Sequence, residues 1–222
     1  MSKFTSGGKE CIPPATKLFA KAFETDPIIT YMLSSMGTEA RIAYLPRYFD
    51  ALLTAAALNQ ASFMEADDWQ SCSVLLSPGH RVDNTWTMLQ AGMIPLLYNI
   101  GFKSIYRMMG EWAPQVDASK ARTLGKEKKF YYVFFTATAE DARGKGLCSA
   151  IIKQQQEIAA RDGLPLWIEA TTEHSKGIYA KLGFETIDEI VLGKGKANAD
   201  GLPCKGGPGV KTWTMIWRPQ KQ

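Results

Sequence analysis

Residues 130–138 read FYYVFFTAT, an unbroken aromatic and β-branched run of a kind that packs well only on a pleated sheet. Its continuity, without polar alternation, predicts a strand covered on both faces. A glycine-bearing stretch follows at once, and the pattern then becomes helical from about Lys145 to Arg161. Asp162 and Gly163 close that helix, glycine standing at its preferred C-terminal place. Strand, tight loop and helix form one unit, and the rest of the sheet has to be built around it.

The loop reads Arg143-Gly144-Lys145-Gly146-Leu147-Cys148. Gly144 and Gly146 remove Cβ atoms where a backbone must come close to a ligand. The helix behind them turns its unpaired N–H groups and the positive end of its dipole to the same spot. Arg143 and Lys145 add charge at the mouth, completing a cradle for a diphosphate. A Walker loop would need Gly-Lys followed by Ser or Thr after a longer glycine spacing, and a dinucleotide fingerprint would need three glycines with a distal acid. Neither is present.

Other elements follow from spacing. Residues 13–24 form a helix behind Pro13 and Pro14, with Leu18, Phe19, Ala22 and Phe23 at helical intervals. A second helix is expected from about Thr38 to Asn59, with Ile42, Leu45, Phe49, Leu52 and Leu53 on one side and Pro46 kinking or splitting it. Residues 61–66 and 69–76 read as a hairpin around Asp67 and Asp68. Residues 84–112 are helical, and 113–128 read as a polar loop. Strands are expected at 165–170, 184–192 and 210–218, with a short helix at 175–182 stopped by Gly183. Residues 193–209, rich in Gly and Lys, read as a flexible loop without a core of its own. With no repeat and no long linker, residues 1–222 are expected as one domain.

Composition narrows the class. With 45% hydrophobic and 22% charged residues the chain is ordinary for a soluble globular protein, and a net charge of +4 does not imply a nucleic-acid partner. No apolar run follows the N-terminal charges, so no secretory signal is read. The most apolar stretch, Ala91 to Met109, is broken by Gly92, Pro95, Asn99, Gly101, Lys103 and Arg107 and fails as a membrane span. Four scattered cysteines and two histidines, His80 and His174, offer no metal-ligand spacing. The expectation is a cytoplasmic protein with free thiols and no metal.

The loop matches the pattern Q/R-x-x-G-x-G/A, with Cys148 in place of the final small residue, and Ile178-Tyr179 through Gly183-Phe184 is similar to a second signature of the same group. On these two motifs the chain resembles the GNAT superfamily of N-acyltransferases. It looks closest to the puromycin N-acetyltransferase-like branch through residues 18–27, 166–171 and 213–219. The resemblance implies an α/β fold with a mixed, splayed sheet of about seven strands, and acetyl-CoA as co-substrate wedged between the fourth and fifth. It implies that amides at Ala137, Thr138 and Ala139 hold the pantetheine arm and polarise the thioester. Those of Arg143, Gly144, Lys145, Gly146, Leu147 and Cys148 would hold the diphosphate. It further implies that Ser175 stands where relatives carry a cofactor-touching asparagine, and that Tyr179 lies beside the thioester sulfur.

Tyr179 is the candidate proton donor for the departing thiolate; the alternative is a core aromatic under the loop. Glu169, alone in an apolar strand and on the face of Trp167, is the candidate base; equally open is a structural glutamate bonded to its neighbours. His174 could relay a proton or merely flank its helix. Cys148 suits a small filler better than a nucleophile. Trp86, Met88, Met93, Tyr98, Phe102, Tyr106, Met108, Met109 and Trp112 either line an acceptor pocket from the 84–112 insertion or, for most of them, belong to ordinary core. Tyr31, Asp26 and Glu65 are further candidates near the acceptor. The implied reaction is acetyl transfer to an amine of a small molecule by a monomer or homodimer, with a protein acetyltransferase or a silent acyl-CoA sensor as alternatives.

Overall fold

The computed structural model describes residues 3–82, 85–125, 127 and 129–220. Seven strands among them form one sheet in the order β1-β2-β3-β4-β5-β7-β6. They are β1 (Phe4–Gly7), β2 (Ser62–Ala66), β3 (Ser71–Leu76), β4 (Tyr131–Thr138), β5 (Leu166–Ala170), β6 (Glu185–Leu192) and β7 (Val210–Trp217). Every neighbouring pair is antiparallel except β4 and β5. The expected mixed α/β architecture is therefore present.

Helices α1 (Ile12–Ala22), α2 (Pro27–Leu33) and α3 (Thr38–Leu58) cover one face, and α7 (Leu147–Arg161) and α8 (Glu173–Lys181) lie on the other. Phe19 of α1, Phe23 at its C-cap, Phe49 of α3 and Phe135 of β4 form a cluster with ring centroids 5.3–6.1 Å apart. Tilted and edge-on contacts at these distances are favourable beyond the area they bury. On the far side Ile152 and Ala159 of α7 meet Val133, Leu166 and Ile168.

Several details depart from the reading of the sequence. Strand β1 and helix α2 were not anticipated, although Asp26-Pro27 is an N-cap followed by proline at the first helical position, a start signal in itself. Helix α3 runs through Pro46 without splitting; Leu45, Phe49 and Leu53 are buried, whereas Ile42 is exposed. The hairpin turn has no glycine because Asp67, Asp68 and Trp69 themselves take positive φ, with Glu65 accepting from the Trp69 amide at 2.8 Å. Strand β4 is not covered on both faces: Tyr131, Val133 and Ala137 are buried while Tyr132, Phe134, Phe135, Thr136 and Thr138 are only partly so.

The expected polar loop at 113–128 is instead α6 (Ala113–Leu124), opened by Pro114, ended by Gly125 and anchored by Val116, Ser119 and Leu124 at helical spacing. Lys126 and Lys128 lie outside the described residues, as does Asn84, the first residue of the expected insertion. The insertion is α4 (Thr85–Gln90), α5 (Met93–Ile105) and a π-helical turn, Tyr106–Trp112, that runs into α6. Trp86, Tyr98, Phe102, Tyr106 and Met109 stand in solvent, so ordinary core does not account for them. Among the described residues no helix is long and apolar enough to cross a membrane.

The 193–209 segment closes on itself rather than lacking a packed interior. Gly195 and Gly207, Lys196 and Cys204, and Ala197 and Gly209 are joined by backbone hydrogen bonds of 2.8–2.9 Å around the buried Ala197. It is also seated on α2. A Cβ at Gly201, where φ is +84°, would lie 2.3 Å from the Pro27 carbonyl oxygen and 2.6 Å from the Tyr31 nitrogen. We expect Gly201→Ala to lower stability by about 2–3 kcal/mol, from left-handed strain and backbone overlap together. Thermal unfolding should then show a midpoint drop of roughly 4–12 °C; an unchanged midpoint would mean that the loop does not dock on α2.

Candidate active site

β4 and β5 run parallel but pair only at Tyr131 with Leu166, Tyr132 with Trp167 and Val133 with Ile168. β4 continues to Thr138 and β5 to Ala170 without further partners between them. The sheet forks there. On the other side of β4, the Ala139 amide donates to the Gln70 carbonyl at 2.8 Å and the Ala137 carbonyl accepts from Ser71 Oγ at 3.0 Å. Groups along a strand alternate between its two edges, so the Ala137 and Ala139 backbones face β3 and the Thr138 amide faces the fork. Of the three amides expected to line it, only that of Thr138 is free to do so.

Beyond the fork, a 3₁₀ turn (Glu140–Ala142) leads into the loop, whose ends are pinned by buried Ala142 and Leu147. Gly144 and Gly146 have φ of +80° and +79°, and a Cβ on either would meet nothing within 4 Å. Glycine is needed here for left-handed backbone, and the space above it is open. Gly146 caps α7 without a side-chain partner. Among the described residues, none of the six consecutive amides from 144 to 149 donates to a protein acceptor; the first bond of the helix is from Ala150 to Gly146. Six unpaired donors at the positive end of a 15-residue helix have the arrangement that an anion would need. Arg143 and Lys145 are exposed and make no ion pair among the described residues, so both charges are free to meet an anion. The residues present fit a diphosphate.

Tyr179 projects from α8 and is buried, its ring 5.9 Å from that of Phe184. Its hydroxyl bonds to no described residue, yet the only buried, unpartnered side-chain polar atoms among the described residues are Thr16 Oγ1 and Trp112 Nε1. The hydroxyl therefore reaches open space. Burial first, then the charges of Cys148 and Asp26, push the phenol well above its usual range, so it stays protonated. Cys148 sits half-buried between α7 and β4, its sulfur 3.9 Å from Thr136 Oγ1. Burial raises its thiol too, which suits a filler rather than a nucleophile.

Glu169 is fully engaged on the face opposite Tyr179. Its Oε2 accepts from the Tyr132 hydroxyl at 2.6 Å and its Oε1 from Trp167 Nε1 at 2.6 Å, with Lys120 Nζ at 3.4 Å. Lys120 also stands 4.1 Å from the Tyr132 ring centroid. The partners of Glu169 are thus the side chains of Tyr132, Trp167 and Lys120. Ser175 is spent on a capping box: its hydroxyl donates to the Thr172 carbonyl at 2.9 Å and accepts from the Thr172 amide. His174 is exposed on the first turn of α8. Glu65 holds Thr5 and the hairpin turn, away from the fork.

Asp26, which the sequence offers only beside Tyr31 and Glu65 as a further candidate near the acceptor, bonds to the residue that follows β5 at the fork. At the N-cap of α2, its Oδ1 accepts from the Ile29 amide at 2.9 Å and its Oδ2 from Thr171, the residue after β5, at 2.6 Å. It acts electrostatically on both Tyr179 and Tyr48. Burial raises its carboxyl to about 6, against lowering by Thr171, the Ile29 and Ile28 amides and Arg41. Asp26-Pro27 was the available signal, since an aspartate there caps a helix.

A model of the Acetyltransferase (GNAT) family matches residues 98–184, which include the fork, the loop and Tyr179. An uncharacterized N-acetyltransferase of Schizosaccharomyces pombe is 23% identical over 179 residues, covering 80% of this chain and 72% of that one. Among solved structures, the histone acetyltransferase HPA2 and related acetyltransferase of Corynebacterium glutamicum is similar with a TM-score of 0.65 and 18% identity, over 100% of this chain and 98% of that one. Arylalkylamine N-acetyltransferase 2 of Aedes aegypti gives a TM-score of 0.62 and 16% identity over 98% of each chain. Polyamine N-acetyltransferase of Drosophila melanogaster gives 0.63 and 10%, over 98% of this chain and 100% of that one. The sheet order, the parallel fork and these structural neighbours give the chain a GNAT fold, and over residues 98–184 its sequence is similar to the Acetyltransferase (GNAT) family.

Proposed function

We propose that the enzyme transfers an acetyl group from acetyl-CoA directly to an amine of a small molecule, in detoxification or metabolite tailoring. The observation that carries this reading is the row of unpaired amides at 144–149, which follows directly on the forked end of β4. Acetyl-CoA supplies an activated acetyl group and a good leaving thiolate. The amides of residues 144–148, with Arg143 and Lys145, hold the diphosphate, and the Thr138 amide meets the arm that enters the fork. Tyr179 gives its proton to the departing sulfur. Asp26, rather than the saturated Glu169, takes the proton released by the amine, because its carboxyl titrates near neutrality and lies within electrostatic reach of Tyr179. Ser175 supports α8 through its cap instead of touching the cofactor.

Two further observations support a compact acceptor. Glu111 of the π-helical turn joins α2 and the 193–209 loop, and a wall tied together in this way suits a compact acceptor better than an extended peptide. Several structural neighbours are described as arylalkylamine and polyamine N-acetyltransferases. The likeness to the puromycin N-acetyltransferase-like branch favours the same class. We place the enzyme in the cytoplasm, as a monomer or homodimer, without metal, nucleic acid or membrane.

Replacing Tyr179 with Phe should lower kcat about 10²–10⁴-fold while CoA binding holds, measured by free-thiol release and by calorimetry; full turnover in the variant would end the donor role. For Asp26 the sign is set by a raised pKa: the base form fills as pH rises through about 6, so kcat/KM should rise across that range. Asp26→Asn keeps an N-capping oxygen and should lose this acidic limb with most of the rate. Ionising Asp26 opposes folding, so the variant should also be relatively more stable above pH 6 and not at pH 3, where the wild-type carboxyl is protonated in both states. A retained limb would transfer the role elsewhere. Arg143→Ala and Lys145→Ala should each weaken CoA binding about 3–10-fold at low ionic strength and less at high, because exposed charge contacts are screened. Salt-independent affinities in wild type and variants would argue against diphosphate contacts.

A further inference from the structure

Helix α5 is apolar on both of its sides. Met93, Leu96 and Ile100 turn inward and are buried in the core. Ile94 and Tyr98, four residues apart, face outward, and Phe102, Tyr106 and Met109 continue the outer row into the π-helical turn. A helix that is apolar all round is normally covered all round. Among the described residues the most exposed large apolar side chains are Tyr98 at 88% and Phe102 at 80%. At about 150–250 Å² per aromatic ring, the patch that the row forms with Trp86 and Leu89 of the adjoining α4 comes to roughly 800 Å². That is above the roughly 300–600 Å² of the largest patch on an ordinary monomer, and it equals the area of about 800 Å² that each partner brings to a stable interface.

The face carries little charge. Between Trp86 and Gly110 the sequence has only Lys103 and Arg107, and no acid. Arg107 is turned away, its Nη1 donating to the Tyr31 carbonyl and to Ser34 Oγ, each at 2.7 Å. Lys103 by itself does not make the basic cluster that holds a protein to an anionic lipid surface. Aromatic and methionine side chains with little charge are instead what the centre of a protein interface contains. Such a face also meets its own copy without repulsion.

The same face holds a knob and a hollow. Gly101, with φ +75° and ψ 166°, breaks the helix between Tyr98 and Phe102, and a Cβ there would meet nothing within 4 Å. A cavity of about 500 Å³ opens at this break, lined by Met36, Ala40, Asn99, Gly101, Phe102 and Lys103. Tyr98, the neighbour of Asn99, protrudes beside it. A two-fold contact uses such a pair twice, because each copy supplies the knob for the other's hollow. Beyond the row, Glu111 accepts the Tyr31 hydroxyl at 2.6 Å and the Gly193 amide at 2.7 Å. The turn is thereby fixed to α2 and to the 193–209 loop, so little order has to be gained on association.

We propose that this face joins two copies of the chain about a two-fold axis, with Tyr98 of each copy seated in the hollow at Gly101 of the other. An aromatic anchor in a pocket is where the energy of an interface concentrates. The contact uses the outer side of the insertion and is independent of the reaction proposed above.

Sedimentation velocity over a micromolar concentration range tests it. The wild type, with a chain mass of 24.6 kDa, should sediment as a species of twice that mass. Tyr98→Asp should weaken association roughly 30-fold or more, as loss of a central anchor does. Ala40→Phe, which fills the hollow from an exposed position, should do the same, whereas Ala40→Ser should leave the dimer intact. Leu202→Asp, at an exposed apolar position on the 193–209 loop, should also leave it intact. Thermal midpoints followed by circular dichroism should match the wild type in every variant, since all three positions are exposed. A wild type that stays monomeric overturns the proposal, and one that sediments instead with phosphatidylserine-containing vesicles gives the face to a lipid surface. A dimer that survives Tyr98→Asp or Ala40→Phe, or that Leu202→Asp disrupts equally, overturns it as well.

Discussion

After Val133 and Ile168 the two parallel strands stop exchanging hydrogen bonds, and the rest of the site follows from that parting. A buried strand edge without partners is costly, because each N–H and C=O that has left water needs a partner. The fork is tolerated because it opens to solvent, where water can satisfy these groups. It also explains the partial exposure of Phe134 to Thr136, which a closed sheet would have covered. The same edge that lacks a protein partner supplies the Thr138 amide, and the strand then delivers the chain to the loop and α7.

Three charge effects meet around this gap, and burial sets their relative weight. The amides of residues 144–149 and the α7 dipole present fixed partial positive charge at an exposed mouth, where an anion keeps much of its hydration. Deeper in, Tyr179 and Asp26 are buried, and desolvation dominates the titration of both. It moves them in the same direction, upward, with different results. The phenol stays protonated at every physiological pH, while the carboxyl is brought to titrate near neutrality.

The strand-loop-helix was legible because its signals are local: a period change, two glycines and a helix stop. Tyr179 was reachable through the second motif. The lower legibility of Asp26 has a physical cause, since its position depends on Thr171, which is 145 residues away in sequence, and on a seven-residue helix that gave no strong periodicity. Helix α6 was missed because only one side meets the sheet, so a solvated helix with a few apolar anchors read as loop. Left-handed Asp67, Asp68 and Trp69 hid the hairpin turn for the opposite reason: tertiary contacts from Lys3 to Asp67 and from Trp69 to Glu65 impose a backbone that local preference disfavours. The partners of Glu169 could not be read at all. Trp167 lies two residues away on the same strand, but Tyr132 and Lys120 come from different elements.

Those partners bear on why a carboxylate is buried where the strands divide. Tyr132 belongs to β4 and pairs with Trp167 one step before the final rung, while Glu169 on β5 lies one step beyond it. The Tyr132–Glu169 bond therefore crosses from strand to strand at the point where the backbone ladder ends. Lys120 of α6 balances the charge, with side chains only 18% and 6% exposed for Lys120 and Glu169. A buried pair of this kind contributes little net stability, because desolvating both ions offsets most of their attraction. Breaking it by removing one partner is what costs. Such a pair is suited to fixing geometry: it holds the end of the ladder at one rung, so that the gap beyond begins at a defined place and with a defined width.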